Sequence, residues 1–198
     1  MSTIPLFPIN PKIDLTNVAV VENQFNETEL DKISSILDNL NYEEGKILSS
    51  EKNGDINTDI RKSKIKWIYS NEETSWLFIK LMKIIYSVNS NAWNFDLIMG
   101  REPIQYTEYG TEGEYTWHID NGPGISSQRK ISISMLLSDP EDYEGGDLEI
   151  WPGGEIKVMP RIKNSIVIFP SCLMHRVTPI TKGIRKSLVL WVGGTPYK

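Results

Sequence analysis

Near residue 94 the spacing of apolar residues changes, and that change limits the folds open to this chain more than any other feature. Downstream of it, "FDLIMG", "IQYTEY", "KISISMLLS", "DLEIW", "EIKVM", "SIVIF", "HRVTPI" and "RKSLVLWVG" are short strand-like runs. Gly, Pro and Asp punctuate them, as in "SDPEDYEGG" and "WPGGE". In "KISISMLLS", Ile131, Ile133 and Met135 alternate with serines, which predicts one dry sheet face and one lined with small polar groups. Upstream, the period is helical. "NETELDKISSILDNL" opens with Asn26 and Glu29 at capping-box spacing, and Leu30, Ile33, Leu37 and Leu40 follow at helical intervals. A second helix is predicted after Asn71, with Trp76, Ile79, Met82 and Tyr86 along one stripe and Leu77, Leu81, Ile84 and Ile85 widening it. Helices followed by many short strands predict an α+β fold. The strand half is expected to form a double-sheet jelly roll or a related barrel.

No linker or internal repeat divides the 198 residues, so one domain is expected, with residues 1–93 as helical and edge-strand support and 94–193 as the jelly-roll core. The net charge of −5 repels phosphate backbones and argues against nucleic acid as a partner. No apolar run approaches the ~20 residues needed to cross a bilayer, so no membrane association is expected. The N-terminal "MSTIPLFPINPKIDL" lacks the basic start and apolar stretch of a signal peptide, and the single cysteine cannot form an internal disulfide. A cytoplasmic protein is expected. Cys172 itself reads as a small buried residue.

Only two histidines are present. His118 stands two residues before Asp120, and in a strand such residues project to one face. His175 lies 57 residues later, at the start of another predicted strand. Two imidazoles and one carboxylate make the facial triad of non-heme Fe(II) oxygenases, which leaves coordination positions open. A lone His-x-Asp is also an ordinary polar pair at a strand end, so its neighbourhood has to decide. Arg185 follows ten residues after His175, on the next predicted strand. Inside a barrel it needs an anionic partner, and its planar fork suits a carboxylate.

At these residues the chain resembles the 2-oxoglutarate- and Fe(II)-dependent dioxygenases, in their prolyl 4-hydroxylase-like branch. It is most similar to the bacterial hydroxylases with a proline/lysine-hydroxylase-type domain. The resemblance rests on "YGTEGEYTWHID", "LLSDPEDYEGGDLEI" and "HRVTPITKGIR", in that order, and covers about residues 95–192. It implies a double-stranded β-helix (jelly roll) with an N-terminal helical layer packed on one sheet, that His118, Asp120 and His175 bind Fe(II), and that Arg185 holds the distal carboxylate of 2-oxoglutarate. Tyr109 is either a hydrogen-bond donor to that carboxylate or a core aromatic. Dioxygen is the implied oxidant, with ascorbate as a candidate reductant. A carboxylate at Asp120 favours hydroxylation over halogenation. Tyr115, Arg129, Trp191 and Glu102 match positions that line a peptide groove, although each is also compatible with a structural role. Gly193 stands where some peptidyl-prolyl enzymes carry a further histidine. Gly145 and Gly146 read as a turn or bulge before "DLEIW". The implied substrate is a prolyl residue in a peptide or protein. A free amino acid or other small molecule is the alternative, and a non-enzymatic jelly-roll binding domain a third reading.

Overall fold

The computed structural model describes residues 14–45, 60–98 and 102–195. In chain order the first elements are β1 (Ala19–Val21), α1 (Glu27–Asp38), β2 (Glu43–Glu44), β3 (Arg61–Lys62), β4 (Lys64–Ile68) and α2 (Ser75–Ala92). The strand-rich half follows with β5 (Ile104–Tyr109), β6 (Glu114–His118), β7 (Arg129–Leu136), β8 (Tyr143–Gly145) and β9 (Leu148–Trp151). It ends with β10 (Lys157–Val158), β11 (Ile166–Pro170), β12 (Met174–Val177), β13 (Ile180–Gly183) and β14 (Arg185–Gly193). Of the predicted "FDLIMG" run, Leu97 forms only an isolated bridge to Gly194, and Met99 and Gly100 lie outside the described residues.

The two helices start for different reasons. In α1 the Asn26 side chain accepts from the Glu29 amide at 2.9 Å, and the Glu29 carboxylate accepts from the Asn26 amide at 2.9 Å, the capping box read from the sequence. Glu29 also takes the Lys80 ammonium of α2 at 2.5 Å, which ties the helices together. In α2 the buried stripe is Leu77, Leu81, Met82, Ile85 and Asn89. This corrects the predicted stripe, because Ile79 and Tyr86 are exposed. The helix is apolar on most of its circumference, so periodicity alone could not choose which side packs; the sheet did.

The strands form two antiparallel sheets among the described residues. The larger has the order β1-β11-β7-β14-β5-β4-β2, and the smaller has β10-β9-β12-β6-β3; β8 and β13 pair separately. One core lies between the helices and the larger sheet, where Leu77, Leu81 and Ile85 meet Ile131, Ile133, Met135 and Leu188. Burying each such side chain contributes about 1.5–3 kcal/mol. A second core, including Leu148, Ile150, Val167, Phe169 and Ile180, lies between the sheets. The result is a jelly roll with its helical layer on the outer face of the larger sheet, as the sequence implied. Glycine is needed at one turn in particular. Gly145 has φ +74°, and a Cβ there would sit 2.2 Å from the Pro179 carbonyl oxygen. The adjoining Gly146 has φ +65° and lets Arg185 pass close to the backbone, since its Cβ would lie 3.2 Å from the Arg185 side chain.

Candidate metal centre and its cavity

Between the sheets is a cavity of about 600 Å³, mouth included, lined by His118, Asp120, His175, Tyr109, Arg185 and Trp191 among others. His118 on β6 and His175 on β12 are directly opposed partners in the smaller sheet. β6 ends at His118, but the Asp120 amide still donates to the Ser171 carbonyl at 3.0 Å, so the backbone keeps Asp120 turned to the same side. One ligand atom from each of the three residues lies within 4.8 Å of the others. The His175 Nε2 is 3.4 Å from Asp120 Oδ2, and the His118 Nε2 is 3.8 Å from Asp120 Oδ1.

The supporting hydrogen bonds suit a cation. His118 Nδ1 lies 2.7 Å from the Thr116 carbonyl oxygen, and His175 Nδ1 lies 3.0 Å from that of Leu173. A carbonyl only accepts, so each Nδ1 carries a proton and each Nε2 is turned to the centre. The Ser132 hydroxyl donates to Asp120 Oδ2 at 2.6 Å and itself lies 2.9 Å from Ser171 Oγ. Burial, with His175 beside it, pulls His118 down to about 3, so this ring is neutral throughout the physiological range. Burial would lower His175 as well, but the Asp120 carboxylate outweighs it and holds His175 above its ordinary value. Burial would raise Asp120, yet the two imidazoles and Ser132 hold it well below the usual carboxylate range. A buried carboxylate kept ionised between two imidazoles can receive a divalent cation in place of the shared proton.

Across the cavity, Arg185 opens β14 opposite Tyr109 at the end of β5. Arg185 is buried and donates to Ser187 Oγ at 3.1 Å, but no carboxylate pairs with it among the described residues. Burial pulls its pKa down, with Tyr109 and Tyr143 opposing; a guanidinium remains charged even so. Burial pushes the Tyr109 phenol up against the pull of Arg61 and Arg185, which keeps it a hydrogen-bond donor. The Thr107 hydroxyl, also in the lining, has no partner among the described residues. A buried guanidinium, a protonated phenol and an unpartnered hydroxyl form a site built for an anion.

The remaining sequence candidates are brought to the same cavity, in ways the sequence did not show. Tyr115 stands three residues before His118, so strict alternation would put them on opposite faces. Between His175 and Val177 the β12–β6 register shifts, and three steps on β6 match two on β12. This bulge returns Tyr115 to the site, where its ring stacks on His118 at 3.5 Å and 14°. Burial raises the Tyr115 phenol to about 12. A second bulge acts on β7, where Val192 pairs with Ile131 but Gly193 pairs with Arg129. It turns Arg129 from the dry face to the cavity face. There Arg129 and Glu102 form a bidentate ion pair, and Arg129 Nη1 donates to the Asp120 carbonyl at 3.0 Å. Trp191 lies under the Arg129 guanidinium at 4.0 Å. Arg61 was missed by the sequence reading. It lines the cavity, donates to Ser63 Oγ at 2.8 Å and Gln105 Oε1 at 2.9 Å, and covers the other side of Tyr115 at 4.9 Å. A two-residue strand gives no periodic signal that could have pointed to it. Cys172, expected to be buried, is exposed, because it occupies the turn between β11 and β12.

Residues 104–193 match the model of the 2OG-Fe(II) oxygenase superfamily. They form a 2OG-Fe(II) oxygenase domain. That family's description names Fe(II) and 2-oxoglutarate, and the donor set and anion site of this domain fit both. A PKHD-type hydroxylase of Gloeothece citriformis is 37% identical over 91 residues, which are 45% of this chain and 41% of that protein. One from Aliarcobacter butzleri is 28% identical over 174 residues, 83% of this chain and 73% of that protein. The match spans less than half the length of the Gloeothece relative and likewise 42% of one from Acidovorax ebreus. The oxygenase domain and its helices share their fold with a Trichoplax adhaerens prolyl hydroxylase, with TM-score 0.71, 21% identity, and coverage of 89% of this chain and 83% of that one. No helix among the described residues is long and apolar enough to cross a membrane.

Proposed function

We propose that this chain is a 2-oxoglutarate- and Fe(II)-dependent dioxygenase that hydroxylates a prolyl residue in a peptide or protein. The observation that carries this reading is the shared cavity, with the three-residue donor set on one wall and buried Arg185, which has no carboxylate partner among the described residues, on another. His118, Asp120 and His175 would hold the iron. When bound, it supplies dioxygen activation, coupled to decarboxylation of 2-oxoglutarate to succinate and carbon dioxide, with one oxygen atom passing to the substrate. Arg185 anchors the distal carboxylate, and Tyr109 and Thr107 donate hydrogen bonds beside it. Ser132 and the Asp120–Arg129 contact hold the carboxylate ligand in place. The second sheet and the aromatic walls exclude water.

Support for a prolyl residue comes from the aromatic lining. Trp191 suits a pyrrolidine ring, with Tyr115 offering its edge because His118 and Arg61 cover its faces, and a proline-rich segment loses little entropy on binding in its extended form. The Trichoplax prolyl hydroxylase that shares the fold was solved in complex with a peptide fragment. A free amino acid would need a cation for its carboxylate, and Arg129 is already held by Glu102 and the Asp120 carbonyl. The test is incubation with Fe(II), 2-oxoglutarate and either a blocked proline-containing peptide or free L-proline, read by mass spectrometry and succinate release. Gain of one oxygen atom by the peptide is expected. Turnover of free proline with none of the peptide would overturn the peptide reading, and no succinate with either substrate would overturn the prolyl reading.

A further inference from the structure

On the far side of the Arg129–Trp191 wall lies a second hollow of about 1050 Å³, mouth included. It shares Arg129 and Trp191 with the metal cavity, so the two are neighbouring compartments along one surface. Its other lining includes Ile98, Ile125, Glu102 and Gly193. Ile98 is 45% exposed and Ile125 66% exposed, so both present aliphatic surface to the hollow. The charged groups here, Glu102 and Arg129, neutralise each other. Among the described residues, the hollow therefore offers aliphatic surface and no unpaired charge.

Gly193 explains the space. Along β14, Arg185, Ser187, Val189 and Trp191 line the metal cavity in alternation, and Gly193 is the next position on that face. Its φ is not in the left-handed region, and a Cβ there would meet nothing closer than the Gln128 carbonyl oxygen at 3.4 Å, an ordinary contact. The backbone does not require glycine at this point. A larger side chain would stand at the junction of the two compartments.

We propose that this hollow is a specificity subsite for a bulky apolar side chain flanking the oxidised residue, so that the substrate peptide carries a branched aliphatic or aromatic residue next to its target. This rests on the peptide reading given under Proposed function. Its occupant follows from continuity with the cavity, from the exposed Ile98 and Ile125 side chains and from the Glu102–Arg129 pairing, among the described residues. The test uses the purified chain with Fe(II), 2-oxoglutarate and blocked peptides bearing Leu, Gly or Glu on either side of one proline. The wild type is expected to favour the Leu peptide over the Gly peptide by about tenfold or more in kcat/KM at one flanking position, as differences in apolar pockets usually give. Gly193→Val should collapse that ratio towards one, and the smaller Gly193→Ala should reduce it in part, which keeps the test alive if the valine variant does not fold. Equal use of Leu and Gly peptides by the wild type, preference for Glu, or a ratio untouched by both variants would overturn the subsite and leave the prolyl reading standing. Failure to turn over any of the peptides would overturn both.

Discussion

Along β7, Ile131, Ile133 and Met135 pack into the core beneath α1 and α2, whereas Ser132 and Ser134 look towards the metal cavity. Neighbouring strands repeat the division. Leu188 and Leu190 of β14 are on the helical side, and Arg185 and Ser187 line the cavity. Polar residues on one face of a strand usually meet water. Here Ser132 is 0% exposed, Ser187 1% and Thr107 1%, as buried as the isoleucines behind them. The two faces are thus equally dry, and only one is apolar. A polar face withdrawn from solvent must satisfy its groups internally or leave them for a ligand. The apolar face answers for stability and the polar face for chemistry.

The strongest way to break this comparison is to put a charge on the apolar face. Ile133→Asp buries an unpaired carboxylate and opens a cavity, a loss of several kcal/mol against a typical total of about 5–15 kcal/mol. The variant should lose its cooperative thermal transition; a melting temperature near that of the wild type would show that this face tolerates polarity. On the other face, His118→Ala, Asp120→Ala and His175→Ala should each abolish tight Fe(II) binding in a calorimetric titration while the circular dichroism spectrum remains folded. Any one of them that binds iron as the wild type does is not a ligand.

Arg185→Ala should weaken 2-oxoglutarate binding by roughly ten- to a hundred-fold, because a charge-assisted hydrogen bond to a buried carboxylate contributes about 1.5–3 kcal/mol. Iron affinity should move little, since Arg185 lies outside the His118, Asp120 and His175 donor set. An unchanged 2-oxoglutarate affinity would place the carboxylate elsewhere in the cavity. The smallest effect sharpens the comparison most. Ser132→Ala removes the hydroxyl that donates to Asp120 Oδ2 at 2.6 Å, and iron affinity should fall by about tenfold with little change in thermal stability. If stability falls and iron affinity does not, Ser132 belongs to the structural side of the division.

Much of this architecture was legible in short-range patterns. Alternation in "KISISMLLS" separated the two faces of β7, and the Asn26–Glu29 spacing located the start of α1. The His-x-Asp pair, the distant histidine and Arg185 were visible because two-residue spacing and strand order are local properties. The side chains around them depended on register. The chain does not record in its local pattern that β6 and β7 each carry one extra residue, and such an insertion inverts the facing of everything beyond it. Tyr115 and Arg129 reach the cavity for that reason.

The amino-acid sequence by itself determined both helices and most strands of the second half, though not β1 to β4, and supplied a donor set suited to iron. Only the tertiary structure decided which side of α2 is buried, that Glu102 and Arg129 neutralise each other, and that Arg61 from a two-residue strand joins the site. Hydrophobic period and capping depend on residues a few positions apart, which the chain brings together wherever it folds. The facing of α2, an ion pair spanning 27 residues and a side chain arriving from another strand depend on how whole layers come to rest against one another.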